Sequence, residues 1–222
     1  MESVKSINKS ASSSGHTTEQ KPVYDFLKRI FDIICSSVAL IILSPVFLIL
    51  AAAIKTTDKG PVFFAHRRVG KDGKTLNIYK FRSMVTNAED LIKQFTPEQK
   101  AEYERNFKLE NDPRVTKVGK FMRRTSLDEL PQLFNILKGD LSIVGPRPVM
   151  EVETEIYGNY RDMLLSVKPG LTGFWAANGR SCTTYTRRRA MEIYYIKNRS
   201  VCFDLKIILK TITSVFKGEG AV

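Results

Sequence analysis

Cysteine and histidine are scarce in this chain, and their spacing offers neither a disulfide framework nor a zinc site. The 222 residues include three cysteines, Cys35, Cys182 and Cys202, and no CxxC pair. An odd, scattered set of this kind is typical of a reducing compartment. The only histidines are His16 and His66. A histidine-based or zinc catalytic centre is therefore not expected, and a metal would need oxygen ligands.

The chain also lacks a GxGxxG or Walker pattern, so the standard nucleotide-binding folds are not supported. No recognisable nucleic-acid-binding motif accompanies the formal net charge of +12 and the sequence pI near 9.6. Such a charge implies an anionic partner, which could be nucleic acid, an acidic lipid surface or a phosphorylated substrate. Composition alone does not choose among the three.

The N-terminal segment is polar and has no apolar run of the kind found in signal peptides. We expect a disordered tail over residues 1–22. The strongly apolar stretch comes later: the 22 residues from Ile33 to Ile54 carry no charge. As a straight helix they would measure roughly 33 Å, against a bilayer core of about 30 Å. A buried core helix is the alternative, but no soluble helix needs so long an uncharged run, so a membrane helix is predicted over residues 23–56.

The pair Ser44-Pro45 lies near the middle of this run. Proline removes a helix hydrogen bond, so a bend is expected there. Basic residues flank the run on both sides: Lys21, Lys28, Arg29, Lys55, Lys59, Arg67 and Arg68. The positive-inside tendency would put both flanks in the cytoplasm. A re-entrant helix that enters and leaves one leaflet satisfies both observations and is favoured over a simple span.

A cytoplasmic domain of α/β class, mostly helical with a small β-hairpin or sheet, is predicted over residues 57–222. The hairpin is expected at 61–64 and 76–79, with the turn at Asp72-Gly73. Helices are expected within 86–109 (two, joined at Thr96-Pro97), over 127–137 and over 187–198. A last helix carries an apolar stripe that could face a membrane or the core. The stripe consists of Leu205, Ile208, Leu209, Ile212, Val215 and Phe216.

Two adjacent carboxylates, Asp128 and Glu129, stand in the segment RRTSLDELPQL. Thr125 and Ser126 are capping residue types, and Pro131 is tolerated only in a first helical turn, so the acids are expected at a helix start. Backbone N–H groups there favour a negative charge, as a nucleophile or metal ligand requires. One acid could attack phosphorus while the other orients a metal or moves a proton. Capping acids without a catalytic role are the alternative.

Two further segments carry ligand-binding chemistry. In GDLSIVGPRP, Pro146 and Pro148 bracket Arg147, and a rigidly presented guanidinium suits bidentate binding of a phosphate. An ordinary loop arginine is the alternative. In KPGLTGFW, closely spaced glycines let the backbone approach a ligand. Trp175, the only tryptophan, could stack on a base or lie in the core. Arg180 follows shortly after it.

Together these segments resemble the bacterial sugar transferase family, the monotopic phosphoglycosyl transferases, from about Tyr24 to Lys217. The landmarks in chain order are Ser44-Pro45, YKFRSM from Tyr79, TSLDELP from Thr125, VGPRP from Val144, KPGLTG from Lys168, and Tyr194-Tyr195 with Asn198 and Asp204. Longer relatives carry an additional multi-span N-terminal region, so this chain resembles their catalytic module alone. Many relatives have glutamine after the tryptophan, where Ala176 and Ala177 stand here; this bears on donor preference.

The resemblance implies a reaction at the cytoplasmic face of a bacterial inner membrane. Asp128 would attack the β-phosphorus of a UDP-sugar, expel UMP and form a phosphosugar intermediate, with Mg²⁺ beside Asp128 and Glu129. Undecaprenyl phosphate would then accept the sugar phosphate, as the first membrane step of exopolysaccharide, capsule or O-antigen synthesis. Glucose or galactose is the default sugar, and an N-acetylated or diamino sugar stays open. The resemblance also implies a substrate site with these members: Arg147, Pro146, Pro148, Lys80, Arg82, Arg124, Arg180 and Asp204.

Two other functions fit parts of the sequence. The net charge alone would suit a nucleic-acid-binding module, but the uncharged 22-residue run argues against a nucleic-acid partner. A non-catalytic scaffold of a polysaccharide assembly complex would share the membrane helix and is separated from an enzyme by UMP release. The sequence leaves a homo-oligomer open.

Overall fold

The computed structural model describes residues 19–106, 109, 111–179 and 183–216. Most of the predicted tail, together with Arg180 and Cys182, lies outside these ranges. The helices are α1 Pro22–Asp58, α2 Ala88–Lys93, α3 Pro97–Asn106, α4 Lys117–Thr125, α5 Gln132–Lys138, α6 Glu151–Thr154, α7 Arg161–Leu165, α8 Tyr185–Asn198 and α9 Val201–Phe216. The strands are β1 Phe63–Val69, β2 Thr75–Phe81, β3 Ser142–Val144 and β4 Gly170–Thr172. The predicted class, mostly helical with small sheets, is confirmed.

The predicted hairpin is present as β1 and β2, which pair antiparallel from Phe63 opposite Phe81 to Val69 opposite Thr75. Its turn is a short 3₁₀ segment in which Asp72 adopts a left-handed φ of 59°, a conformation that aspartate tolerates better than most residues. The second sheet was not predicted. It pairs β3 parallel to β4, and strands of three residues are too short to show an alternating pattern.

Glycines bring the loop after β3 against β4. A Cβ atom on Gly170 would lie 2.1 Å from the backbone nitrogen of Gly145. One on Gly173 would lie 2.1 Å from the carbonyl oxygen of Gly145. Real Cβ atoms do not approach so closely, so only glycine permits this contact between backbones. The glycines of KPGLTGFW therefore serve packing of the two segments, whatever else they contact.

Two helices within 86–109 are confirmed as α2 and α3, and Thr96 caps α3 by accepting the N–H of Gln99 at 3.3 Å. The helix expected over 127–137 divides into a 3₁₀ turn, Leu127–Glu129, and α5. The capping role expected of Thr125 is wrong, whereas Ser126 does stand at the N-cap position of the 3₁₀ turn, although its side chain makes no capping hydrogen bond there. Thr125 ends α4 and its hydroxyl donates to the carbonyl of Phe121, while Ser126 is the left-handed C-cap with φ 58°. Helix α4 extends to Thr125, and Ser126 is its C-cap, so both residues belong to the end of α4.

Helix α1 runs unbroken for 37 residues through Pro45. One face packs on the rest of the protein: Leu40 and Leu43 contact a cluster around Ile78 and Ile136. The opposite face is exposed, and its large apolar side chains include Ile41, Ile42, Leu48 and Ile49, which are 68–74% exposed. Within the described residues, α1 is the one helix long and apolar enough to cross a membrane. An exposed apolar face of this size is typical of a surface that contacts a membrane, so the uncharged run does not require a partner protein.

Polar contacts fasten the first half of α1. Asp204 on α9 accepts hydrogen bonds from the Tyr24 hydroxyl at 2.9 Å, the Tyr195 hydroxyl at 2.8 Å and the Lys28 ammonium at 2.5 Å. Asp32 accepts from the backbone N–H of Ile143 at 2.9 Å. These carboxylates are buried, and each is held by several donors, as buried charges require.

In the same half of α1, Arg29 donates to the carbonyls of Ile136 and Leu137 at 2.7 and 2.8 Å. Both carbonyls lie at the C-terminus of α5, where a cation is favoured by the helix dipole; that of Ile136 also accepts the N–H of Gly139 at 3.0 Å. Farther along α1, Phe47, Leu50 and Ile54 pack in a cluster with Phe81 and Met122. Both ends of α1 therefore contact the same domain.

The C-terminal helix shows where the predicted stripe points. Leu205, Leu209 and Ile212 are 46%, 66% and 47% exposed, whereas Ile207 on the other side of α9 is buried. The side chains of Val215 and Phe216 lie outside the described part of the chain. The core-facing interpretation of the stripe is wrong for these three residues, whereas Ile208, also in the stripe, is partly buried and packs against the core.

We predict that Asp204→Asn destabilises the docking of α1 by about 3 kcal/mol, because the change leaves the buried Lys28 ammonium without its counter-charge. Thermal unfolding of the detergent-solubilised protein measures this. Asp90→Asn is the matched control, since the Asp90–Lys93 pair is 68–79% exposed and is worth less than about 1 kcal/mol. Equal melting temperatures for the two variants would contradict the anchoring role.

Candidate active site

A cleft opens between the hairpin and the small parallel sheet, with a volume of about 500 Å³ including space open to solvent. It collects side chains from β1, β2, the Leu127–Glu129 turn, the loop after β3, β4 and α8. Its lining residues are His66, Arg68, Ile78, Lys80, Glu129, Gln132, Gly145, Arg147, Pro148, Gly170, Leu171, Thr172, Gly173, Trp175, Ala176 and Glu192. Three of the sequence segments chosen for their chemistry thus meet in one place.

The two adjacent acids sit at the edge of the cleft. Glu129 lines it, and its Oε1 accepts from the Lys80 ammonium at 2.6 Å. Asp128 is buried beside Glu129 without being a lining residue. Burial raises the pKa of Asp128 above its usual value, Glu129 adds to this, and the cations Lys80 and Arg123 oppose it. The expectation that a helix start alone keeps Asp128 anionic is therefore incomplete. Desolvation dominates, and nearby cations provide most of the compensation.

Within the described ranges, no group of three or more histidine, cysteine, aspartate or glutamate side chains gathers to hold a metal. The Asp128–Glu129 pair still offers adjacent carboxylate oxygens. Mg²⁺ typically uses one or two protein carboxylates and completes its coordination with water and substrate phosphate oxygens. The donor set therefore fits Mg²⁺ bound together with a phosphorylated substrate.

Arg147 is presented to the cleft as its two flanking prolines suggested. Its backbone N–H donates to Glu192 Oε1 at 3.0 Å, and its guanidinium carbon lies 5.5 Å from the centre of the Trp175 ring. Pro148 lines the cleft, and the carbonyl of buried Pro146 accepts from the N–H of Gly170 at 2.9 Å. The loop is thus tied to β4 and α8, and Trp175 is a wall of the cleft.

Several charged residues of the cleft were not singled out for this site. Arg68 on β1 lines the cleft and pairs with Glu153 at 3.1 Å, and Arg188 on α8, which is not a lining residue, pairs with the same carboxylate at 3.2 Å. Burial lowers the pKa of Arg68 to about 10, with Arg147 contributing. Burial, followed by Arg68, lowers the pKa of His66 to about 4, so this imidazole is neutral near pH 7. Alternation along β1 places His66 and Arg68 on one face, which is the signal that could have located them.

Three predicted substrate residues lie elsewhere in the described part of the protein. The Arg82 Nε donates to the carbonyl of Pro61 at 2.5 Å. Arg124 is exposed on α4, and Asp204 holds α1. None of the three lines the cleft. Arg180 is outside the described residues, and the substrate roles of all four stay predictions.

Comparison with known proteins now adds to this geometry. The model of the family described as bacterial sugar transferase matches residues 23–218. The chain belongs to the bacterial sugar transferase family. Its membership rests on nearly the whole described structure, from the start of α1 to the end of α9.

This sugar transferase matches similar proteins over different shares of their length. The exopolysaccharide production protein ExoY of Rhizobium meliloti is 42% identical over 98% of this chain and 100% of its own length. The undecaprenyl-phosphate galactose phosphotransferase of Salmonella typhimurium is 48% identical over 88% of this chain and 42% of its own length. The UDP-glucose:undecaprenyl-phosphate glucose-1-phosphate transferase of Escherichia coli is 41% identical over 90% and 44%. This chain therefore spans less than half the length of the latter two relatives.

Proposed function

We propose that this sugar transferase moves a hexose 1-phosphate from UDP-glucose or UDP-galactose to undecaprenyl phosphate and releases UMP. The names of its relatives support this reaction class and a role in exopolysaccharide production. We further propose that the reaction is the first membrane step for an exopolysaccharide, capsule or O-antigen. The observation that carries the proposal is that Glu129, with Asp128 buried beside it, contacts Lys80 in a cleft that Arg147 also lines.

The chemistry proceeds in two displacements at phosphorus. A carboxylate oxygen of Asp128 bonds to the β-phosphorus of the UDP-sugar, and the bond to the bridging oxygen breaks, so UMP leaves with that oxygen. An oxygen of undecaprenyl phosphate then attacks the same phosphorus and frees Asp128. Lys80, Arg68 and Arg147 lower the charge repulsion between an anionic nucleophile and a diphosphate. The product is an undecaprenyl diphosphate sugar.

Mg²⁺ is part of the proposal, with Asp128 and Glu129 as the protein residues that would hold it. When bound, it would neutralise phosphate charge and orient the diphosphate. Lys80 already neutralises Glu129 in the structure at 2.6 Å, so this carboxylate can exchange a lysine partner for a cation brought by the substrate.

The membrane arrangement follows from two surfaces. The exposed apolar faces of α1 and α9 offer contact to lipid tails and headgroups. Both ends of α1 contact the same domain, through Lys28–Asp204 near the start and Ile54 near the end. We infer a re-entrant helix that keeps the domain on the cytoplasmic face, because a simple span would separate the two ends by the bilayer.

We predict that Asp128→Asn abolishes UMP release and the covalent phosphosugar adduct, since an amide oxygen is a far weaker nucleophile than a carboxylate. Intact-protein mass spectrometry after incubation with UDP-glucose and UDP-galactose detects the adduct. Asp162→Asn, at an exposed position on α7, is the control and should keep both signals. Turnover by Asp128→Asn, or an adduct that maps to another side chain, would remove Asp128 from this role.

Removal of Mg²⁺ with excess EDTA should stop UMP release, and adding back Mg²⁺ should restore it. Binding of UMP should change much less, because one phosphate can be held by arginines alone. Full UMP release in EDTA would contradict the proposed metal requirement while leaving the nucleophile untouched.

The re-entrant topology predicts that an epitope fused ahead of Met1 is protected from external protease in intact spheroplasts and cleaved after lysis. Pro45→Ala should restore the missing helix hydrogen bond and shift the helix toward a full span, exposing part of the epitope. Cleavage of the epitope in intact spheroplasts of the unmutated protein would show a simple span instead.

A further inference from the structure

Glu192, on α8, is a buried carboxylate of which only one oxygen accepts a hydrogen bond from the described residues. Its side chain lines the cleft, although the residue is only 1% exposed. Its Oε1 accepts the N–H of Arg147 at 3.0 Å. Its Oε2 has no hydrogen-bond partner among the residues that the structure describes. An acceptor buried without a partner is costly, so a native protein that keeps one needs a reason.

The surroundings of Oε2 suit a ligand. A Cβ atom on Gly173 would lie 3.9 Å from Oε2, so glycine leaves that side of the carboxylate uncovered. One turn away on α8, Arg188 Nε and Nη2 also lack partners within the described residues, and its guanidinium carbon lies 4.9 Å from the centre of the Trp175 ring. Burial raises the pKa of Glu192 to about 7, opposed by the Arg147 N–H and by Arg188.

With a pKa of about 7, a large share of Glu192 is ionised at neutral pH, and the ionised form decides which part of a nucleotide sugar it can contact. A carboxylate repels phosphate oxygens, which Lys80, Arg68 and Arg147 attract at the same cleft. An acceptor with a free lone pair instead suits a neutral group that donates. A UDP-sugar has three kinds of such donor: the imide N–H of its base, the hydroxyls of its ribose and the hydroxyls of its hexose.

We propose that Glu192 binds the UDP-sugar directly, with Oε2 accepting a hydrogen bond from the imide N–H or from a sugar hydroxyl. This inference rests on the proposed function, and it adds a recognition role for a residue on α8. The bond from the Arg147 N–H to Oε1 holds the carboxylate in place, so binding of the base or sugar and placement of Arg147 are linked.

The first test compares Glu192→Gln with the unmutated full chain in detergent. The variant can keep the acceptor for Arg147 but replaces Oε2 with an NH₂ donor, so UDP-glucose and UDP-galactose should bind at least about tenfold more weakly. Glu155→Gln, at an exposed position in the 3₁₀ segment Glu155–Tyr160, is the control and should bind as the unmutated protein does. An equal loss for UMP identifies the nucleoside, through its base or its ribose, as the group bound, and a loss confined to the UDP-sugars identifies the hexose.

The second test changes the ligand, so it holds even where Glu192→Gln does not fold. The unmutated protein should bind one of three analogues about tenfold more weakly than its parent: N3-methyl-UMP for the base, 2′- or 3′-deoxy-UMP for the ribose, or a UDP-deoxyhexose for the hexose. Unchanged affinity for all of these analogues and for Glu192→Gln would overturn the role of Glu192 alone. An unmutated protein that binds neither UMP nor a UDP-sugar would instead overturn the proposed function, and this inference with it.

Discussion

Burial of one face of α1 against the domain is the constraint on which the rest of the structure depends. Asp204 and Asp32 fix the first half of the helix to α9 and to the start of β3 through hydrogen bonds of 2.5 to 3.1 Å. Apolar contacts near Ile54 fix the second half. The domain is thereby held along the helix, and the uncovered face of α1 is left for lipid.

The cleft follows a second constraint, the balance of buried charge. Arg68 and Arg188 share Glu153, Lys80 pairs with Glu129, and Glu192 holds the backbone of Arg147. Each carboxylate offsets a cation that would be expensive to bury alone. This balance keeps an excess of positive charge facing the cleft, which suits a diphosphate. The cost of burying the Asp128 carboxylate is offset by the nearby cations Lys80 and Arg123.

Much of the fold was predictable because the relevant signals are local. The hairpin, the helices α2, α3 and α8 and the apolar length of α1 follow from alternation, capping residues and an uncharged run. The β3–β4 sheet was missed because each strand has three residues, and its stability comes from glycine contacts between segments 25 residues or more apart in sequence. The capping role given to Thr125 failed, and Ser126 serves both as C-cap of α4 and as N-cap of the 3₁₀ turn, because local propensity does not say where the preceding helix ends.

The candidate site divides in the same way. Asp128, Glu129, Arg147 and Lys80 were found from the residue types and their order, and the structure brings the last three to one cleft with Asp128 beside it. Asp204 and Arg82 carry charges that look the same in sequence, yet tertiary contacts engage them with α1 and with Pro61. Glu192 carries no sequence signal at all. The amino-acid sequence determined which chemical groups the chain has and which segments are helical or apolar. Only the tertiary structure decided which charges face the cleft, because burial and pairing depend on neighbours that are distant in the chain.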